Sequence, residues 1–525
     1  MCEGTIPLAM LRPMRLYAPL TPGYSLSQRE REIVLSLALA ALVAAPAAGI
    51  AALRGFDGLY GQDAYAYFDY ATASVRDSIL HLKPLEAFFW PPGYPLLVAL
   101  VSLAVGPLPL AGQMVSVVMG ALVPVFTALL AHELWPDDTA TPVLAGVLVG
   151  LSGQLWQSSV VVMADTTGLA LATLAALALV RYARSGRLGW LILASGGLAY
   201  AMLARWIYGL VAVPLAVYAF HGLTRRAERG RATLHAAAAV VVAGVLLAPV
   251  LGPPLVGLVA HPAAPASFAG NLQVYSWSPL NALRRDFFTA DGHLSYALPN
   301  GVYYAIAPAN LAFFGPLLAP WAGVGTWAAV RQRSAATTVL TLGWAAIVYA
   351  FHAGAPWQNF RFTLAYLPPL AILAAVGLSW TWRNVDRRRG SLVALCAAAG
   401  VLMSGAAAVR LVEGFIDRKE EDLALVRWVQ TQTSPDGRLF SFGPTLTMRH
   451  YSSLPTFDLY DVSPTDVSSV LAAGAPTFLL LDVPNVEEQW LNQAPSTNFH
   501  LLRDGPGLTQ IGADGSYTLY RVRSQ

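Results

Sequence analysis

The chain has 525 residues; 56% are hydrophobic, 12% are charged and the net charge is +3. Soluble domains are about 25% charged, so this composition excludes a disordered protein, argues against a soluble enzyme and leaves a polytopic membrane protein as the class. The basic excess is too weak, and too little interleaved with aromatics, to suggest nucleic acid as a partner.

In chain order, residues 1–32 form a polar, Pro-rich tail carrying Arg12, Arg15, Arg29 and Arg31. A cleavable leader would place its apolar core nearer the start, so the first apolar run, 33–53, reads as a retained span. Uncharged runs follow at 110–131, 142–162, 166–180, 188–204, 206–221, 233–252, 303–329, 335–351, 362–381 and 391–409, giving eleven expected spans. Each is near the ~20 residues needed to cross the hydrocarbon core. The run 93–105 is too short to cross and is expected to lie at the interface or re-enter. The stretch 188–221 is too long for one helix and carries Arg205 at its middle, so it reads as two short spans with a tight turn.

With the N-terminus inside, this count places the Arg-rich loops 181–187, 225–231, 331–333 and 383–389 in the cytoplasm, as the positive-inside rule requires. Counting 93–105 as a span, or merging 188–221, would move most of them outside. The expected protein is therefore multi-pass in the plasma membrane, N-terminus in and C-terminus out. Its membrane domain is 33–411, with outer loops 54–109 and 253–302.

From about 412 charges and turn signals return. An amphipathic helix is expected over 419–433, then strands at 438–442, 456–460, 476–482, 498–502 and 516–522. Helical patterns at 445–452, 464–473 and 484–492 separate some of them, which predicts a small extracytoplasmic α/β domain over 412–525. It holds no phosphate loop, nucleophile elbow or His/Cys cluster and reads as an accessory or acceptor-side unit. The two cysteines, Cys2 and Cys396, lie in the tail and in an apolar run, which argues against a disulfide or a metal cluster.

The unusual residues collect on the outer side. In YGQDAYAYFDY (60–70) a helix would align Asp63, Tyr67 and Tyr70 on one face. A carboxylate among aromatics at the membrane edge suits a general base tuned by partial burial; it also suits the N-cap of an interfacial helix. Asp69 lies off that face and reads as solvated. The stretch 81–106 sets Trp90 and Tyr94 at headgroup level around the Pro91-Pro92 break. Asp165 stands before the helix beginning at Thr166, as its cap or as a second acid. Arg205 and Arg361 sit at outer boundaries beside apolar helices, as phosphate-holding or as snorkelling cations. His352 ends a span before a mobile-looking loop, HAGAPWQNFR (352–361), and Arg284 and Arg285 lie in loop 253–302 beside Trp277. A substrate contact and a plain loop or helix-end position are both open for these three. Lysine occurs only at Lys83 and Lys419, so a phosphate would be held mainly by arginine, which grips it bidentately.

These stretches, in this order and on one side, resemble the GT-C membrane glycosyltransferases. The resemblance is carried by the acidic residue before a Tyr-rich helix and by PPGYPLL (91–97), VVVMADTTGLALATLAALALVRYAR (160–184), GGLAYAMLARWIYGLVAVP (196–214) and RFTLAYLPPLAILAA (361–375). It covers roughly 30–410 and looks most like the protein O-mannosyltransferases and the bacterial transferases that move aminoarabinose onto lipid A. One departure is that the group often shows an Asp-Glu pair where this chain has Gln62-Asp63. The resemblance implies a sugar donor carried on a polyprenyl phosphate, a lipid, glycan or protein acceptor, Asp63 as the catalytic carboxylate and Asp165 in the second acidic position.

The residue requirements follow independently. A phosphate leaving group departs as an anion, so a one-step inverting transfer needs one base, where a glycosidase needs two carboxylates. It also needs cations near the developing charge. On this reading Asp63 is the base, Asp165 assists, Arg205 and Arg361 hold phosphate, and Tyr67, Tyr94, His352, Arg284 and Arg285 are substrate-side candidates. Some GT-C enzymes use a divalent metal, but no carboxylate and His set here is spaced to demand one, so no cofactor is expected. A transporter or flippase of a lipid-linked or anionic substrate is the second class. It would place ionisable residues near the midplane and show inverted repeats, and the sequence has neither.

Overall fold

The computed structural model describes residues 28–224, 229–260, 276–332 and 335–523. The tail up to residue 27, residues 225–228 of the basic loop and 261–275 of the second outer loop lie outside them.

The membrane region opens with α1 (Gln28–Leu53). Three short helices, α2 (Gln62–Asp69), α3 (Arg76–His81) and α4 (Gly93–Val105), build the loop that follows, and α5 (Pro109–Leu134) returns across. A π turn, Tyr70–Val75, joins α2 to α3. Helix α4 has 13 residues, roughly 20 Å of rise, too short to cross. The expected span 142–162 is a bent pair, α6 (Ala140–Gly150) and α7 (Gly153–Val160), meeting at 55°. The bend frees backbone groups inside the membrane, and these find partners: Trp156 Nε1 donates to the Gly150 carbonyl at 2.6 Å, and the Gln154 N–H donates to the Ala312 carbonyl at 2.9 Å.

Helices α8 (Asp165–Ser185), α9 (Leu188–Ala204), α10 (Ala212–Thr224) and α11 (Arg229–Ala260) come next. The stretch 188–221 divides at Arg205, which precedes a 3-10 turn, Trp206–Gly209. The expected span 303–329 is not one helix. It is α12 (Asn300–Ile306) and α13 (Pro320–Gln332), parted by turns where Pro308 and Pro316 each remove a backbone donor. Helix α14 (Ala335–Gly354) contains a π turn at Val339–Gly343. A 3-10 turn, Phe360–Tyr366, leads into α15 (Leu367–Asn384), and α16 runs from Arg387 to Gln432. Among the described residues seven helices are long and apolar enough to cross, or eight with the bent pair, against the eleven spans expected. The other three are the short α9 and α10 and the broken α12–α13. Helices α13 and α15 touch backbone to backbone through glycines: a Cβ on Gly377 would meet the Trp321 carbonyl oxygen at 2.1 Å, and one on Gly325 would meet that of Leu373 at 1.7 Å.

Ion pairs sort the loops into two sides. Arg181 and Arg184 hold Glu133 at 2.9 and 2.7 Å, and Arg383 holds Asp138 at 2.6 Å. Asp63, Asp165, Arg205 and Arg361 meet at the other ends of the same helices. This pairing requires an odd number of crossings between 205 and 383, a condition that α11, α14 and α15 meet and that the short α10 and the broken α12–α13, being two, leave unchanged.

The described part of the second outer loop contains an antiparallel hairpin, β1 (Asp286–Thr289) and β2 (Gly292–Ser295). Beyond α16 a five-stranded sheet has the order β4-β3-β5-β7-β6. Its strands are β3 (Arg438–Ser441), β4 (Thr456–Asp458), β5 (Thr477–Leu481), β6 (Leu508–Asp514) and β7 (Tyr517–Val522). Strands β3, β4 and β5 run parallel, with α17 (Thr445–Tyr451) and α18 (Pro464–Ala472) as crossovers, and β7 is antiparallel to β5 and β6. Strand β5 is buried along its length and feeds both faces: Leu479 and Leu481 pack with Val467, while Phe478 and Leu480 pack with Leu425, Val426 and Val429 at the far end of α16. Helix α19 (Val483–Glu488) follows β5. The strand expected at 498–502 is instead α20 (Ala494–Asp504), whose buried Pro495, Phe499 and Leu502 recur at helical spacing. The amphipathic helix expected at 419–433 is the continuation of α16, with no break at 412.

Candidate functional site

Four side chains from distant parts of the chain form one alternating row, Asp63–Arg361–Asp165–Arg205. Arg361 Nη2 donates to Asp63 Oδ2 at 2.7 Å, and its Nε faces Asp165 Oδ2 at 3.5 Å. Arg205 grips Asp165 Oδ1 through Nη2 at 2.6 Å and Nε at 3.0 Å. Exposure rises from Asp165 at 8% to Asp63 at 20%. The ring of Phe362 lies 5.5 Å from the Arg361 guanidinium carbon and 5.9 Å from that of Arg205, so both cations also meet a π face.

Local backbone features aim these groups. Gly61, at φ +77°, turns the chain into α2 and leaves Asp63 in the first helical turn. Gly61 and Ala164 hold the cap positions of α2 and α8, and neither helix has a side-chain cap. The cap alternative for the two acids is therefore not what the structure shows; both carboxylates turn to arginine. Asn359 caps the 3-10 turn by accepting from the Arg361 N–H at 3.0 Å, which sets the root of that side chain. Burial alone would push the Asp63 carboxyl up, but the guanidiniums of Arg361 and Arg205 outweigh it and hold the group below its usual range.

Asp63 and Arg361 open into a cavity of about 550 Å³. Polar lining comes from Gln62, Gln154, Gln157, Ser158, Asn310 and Asn359, and ring faces from Tyr60, Phe360 and Phe415. Asp165 and Arg205 lie behind this lining. Sequence reasoning did not reach the polar set, although Gln154, Gln157 and Ser158 stand out as polar residues inside an apolar run.

The remaining candidates are placed differently. Tyr67 is fully buried against Phe88, Trp90 and Tyr94, and its hydroxyl has no hydrogen-bond partner among the described residues. Tyr94 is fully buried with its hydroxyl bonded to the Gly112 carbonyl at 3.1 Å and Ser116 Oγ at 3.0 Å, a packing role that leaves it no open face for substrate. Tyr70 packs on the same Phe88 as Tyr67, stacking on it at 4.0 Å, and donates to the Glu86 carbonyl at 2.7 Å. His352 is buried, stacked between Phe362 and Tyr304, and neither ring nitrogen is hydrogen-bonded among the described residues. It does not line the cavity. Arg284 and Arg285 are exposed, and Arg285 faces Asp286 at 3.5 Å; the structure does not bring them into the row. The segment expected to be mobile, 352–361, is tied down: Tyr304 Oη donates to the Trp357 carbonyl and accepts from the Asn359 N–H.

A second cluster, unforeseen from sequence, binds the C-terminal region to the loop that carries Asp63. Lys419 on α16 is 3% exposed and donates to Asp57 Oδ1 at 2.9 Å, to the Leu59 carbonyl and to Tyr451 Oη at 2.6 Å. Tyr451 in turn donates to Asp57. His450 meets Asp69 at 3.1 Å and packs against the Tyr65 ring at 4.8 Å, so Asp69 is paired, not merely solvated. The rarity of lysine in this chain was the one available signal. Among the described residues no three His, Cys, Asp or Glu side chains are grouped to hold a metal.

No protein-family model matches the chain, and no curated protein matches it by sequence. Solved structures do match. The crystal structure of ArnT from Cupriavidus metallidurans bound to undecaprenyl phosphate superposes with a TM-score of 0.60 at 15% identity, over 94% of this chain and 98% of that one. This chain has the GT-C fold. ArnT in the apo state gives 0.58 at 15% identity over 95% and 99%, and the Archaeoglobus fulgidus oligosaccharyltransferase, in complex with Zn and sulfate, gives 0.54 at 12% identity over 94% and 73%. The GT-C likeness extends through the C-terminal region, since nearly the whole of ArnT is covered.

Proposed function

We propose that this protein is a membrane glycosyltransferase that moves a sugar from a polyprenyl-phosphate donor to an acceptor on the extracytoplasmic face. The observation that carries the reading is the row Asp63–Arg361–Asp165–Arg205, whose outer two members open into a polar cavity at the membrane boundary. Its fold is that of ArnT crystallised with undecaprenyl phosphate. In the orientation expected from the arginine-rich loops, the N-terminus faces the cytoplasm and this cavity faces out.

On this reading the acceptor X–H loses its proton to Asp63 as its X atom forms a bond to the sugar's anomeric carbon. The bond from that carbon to the phosphate oxygen breaks, and the electron pair leaves with polyprenyl phosphate. One displacement inverts the anomeric centre. Arg361 exchanges its contact with Asp63 for the departing phosphate, which frees the base as the donor binds. Asp165 and Arg205 are positioning residues: Asp165 faces both guanidiniums, and Arg205 compensates it in a site with little water. A transporter would use charge along the path through the bilayer; here the row closes on itself at one boundary.

The test is transfer by the purified protein from a panel of radiolabelled polyprenyl-phosphate sugars into membrane extract, run beside Asp63→Asn. A general base contributes about 10²–10⁴-fold, and the variant should lose a rate of that order while remaining folded and monodisperse. Transfer unchanged in Asp63→Asn discards the base and points to Asp165 or Asp69. Transfer from no donor, with native donor and acceptor supplied, discards the transferase.

A further inference from the structure

We infer that the cavity beside Asp63 takes an uncharged sugar, a neutral hexose or pentose unit with neither an amine nor a carboxylate. The inference deepens the transferase reading and rests on it. Six side chains supply the polar lining besides Asp63 and Arg361: Gln62, Gln154, Gln157, Ser158, Asn310 and Asn359. All are amides or a hydroxyl, groups that both donate and accept, as sugar hydroxyls do. Two are oriented further. Asn310 Oδ1 accepts from the Ala312 N–H at 2.8 Å and Asn359 Oδ1 from the Arg361 N–H at 3.0 Å, so each presents its NH₂ to a ligand. Tyr60, Phe360 and Phe415 add apolar ring faces of the kind that cover sugar C–H edges.

The charges argue the same way. Among the described lining residues the charged pair is Asp63 and Arg361, and they neutralise each other at 2.7 Å. An ammonium group taken out of water needs a carboxylate, and a uronic acid needs a cation. Asp63 is committed to proton removal, and Arg361 to the phosphate. Asp165 stands behind the lining, paired with both arginines, and Asp291, on the β1–β2 turn, whose carboxyl is raised by burial and then by the charge of Asp63, does not join the lining. An uncharged sugar leaves no ligand charge unpaired.

One polyprenyl phosphate carrying in turn a neutral hexose, a neutral pentose, an aminopentose and a uronic acid provides the donor series. A series of neutral, amino and acidic sugar acceptors is run with one fixed donor. Equilibrium binding of each labelled donor to the full-length protein and single-turnover transfer are both read. A neutral sugar should be favoured at least about tenfold in one series, and that series assigns the cavity to the donor sugar or to the acceptor sugar. Gln157→Glu, or Gln62→Glu should the first not fold, should shift the ratio about tenfold toward the amino sugar. Charged and neutral sugars handled equally in both series overturn the inference and leave the transferase standing. A neutral preference in binding without transfer keeps the inference and discards the transferase. Neither binding nor transfer from any donor overturns both.

Discussion

Arg361 donates to Asp63 at 2.7 Å across 298 positions of chain. On the proposed reading, the arginine that meets the phosphate is also the group that holds the base until phosphate arrives, so one contact would link donor binding to base release, with consequences that can be measured.

The first concerns pH. The folded Asp63 carboxyl lies below its ordinary 3.8 because its arginines outweigh burial. A depressed acid contributes stability that is present above the unfolded value and lost as pH falls through the folded one. The melting temperatures of wild type and Asp63→Asn, measured from pH 7 downward, should therefore differ above about pH 4 and converge below it. Transfer should hold its rate down to the same region. Arg361→Gln removes the stronger of the two counter-charges on Asp63, so the acid limb of its residual activity should move up by about one pH unit.

The inner pair should behave as a unit. Arg205 and Asp165 are 14% and 8% exposed, and breaking one side of such a pair strands a buried charge at a loss of about 3–5 kcal/mol. Arg205→Gln should lower stability by that order. The double variant Asp165→Asn with Arg205→Gln should lose less than the sum of the two single losses, in a double-mutant cycle on detergent-solubilised protein.

Lys419→Met should loosen the C-terminal region from the loop carrying Asp63. Asp57 and Tyr451 would lose their shared cation. Hydrogen exchange should rise over 56–61 and 445–451, while the sheet strands β3 and β5 keep their protection. Equal exchange in both proteins would remove Lys419 from this role.

Gly377→Leu tests the α13–α15 crossing. Even a Cβ there falls 2.1 Å from the Trp321 carbonyl oxygen, which is backbone and cannot swing aside. Overpacking of this kind exceeds the usual penalty of about 1–3 kcal/mol, so the yield of monodisperse protein should collapse. Gly230→Leu, a glycine whose Cβ would meet nothing within 4 Å, is the control.

Much of this was legible before any coordinates. Run lengths and arginine-rich loops divide the connecting segments into two sets, and the four charged residues expected together in one set, Asp63, Asp165, Arg205 and Arg361, are those that meet. The structure departs where tertiary partners override local pattern. The run 303–329 is uniformly apolar, yet two prolines divide it. Strand β6 has only Leu508 and Ile511 as large apolar residues and forms by pairing with β7, so it left no alternation to read. Tyr94 looked like an interfacial aromatic because sequence cannot show that Gly112 and Ser116 wait for its hydroxyl. The amide-lined cavity was illegible for a related reason: its amides come from α2, α7 and the turns before α13 and α15, and no local window contains them.

Helix α16 continues unbroken for 46 residues from one membrane face to the underside of the C-terminal sheet, roughly 70 Å at 1.5 Å per residue. A shaft of this kind turns residue count into altitude and bearing. Each residue inserted before Lys419 would raise the sheet by about 1.5 Å and swing it by about 100°. Arg54, reaching Asp417 and Glu420 from the top of α1, would lose both partners after a single insertion. Evolution can thus change the side chains of the C-terminal region far more freely than it can change the length of the stem beneath it.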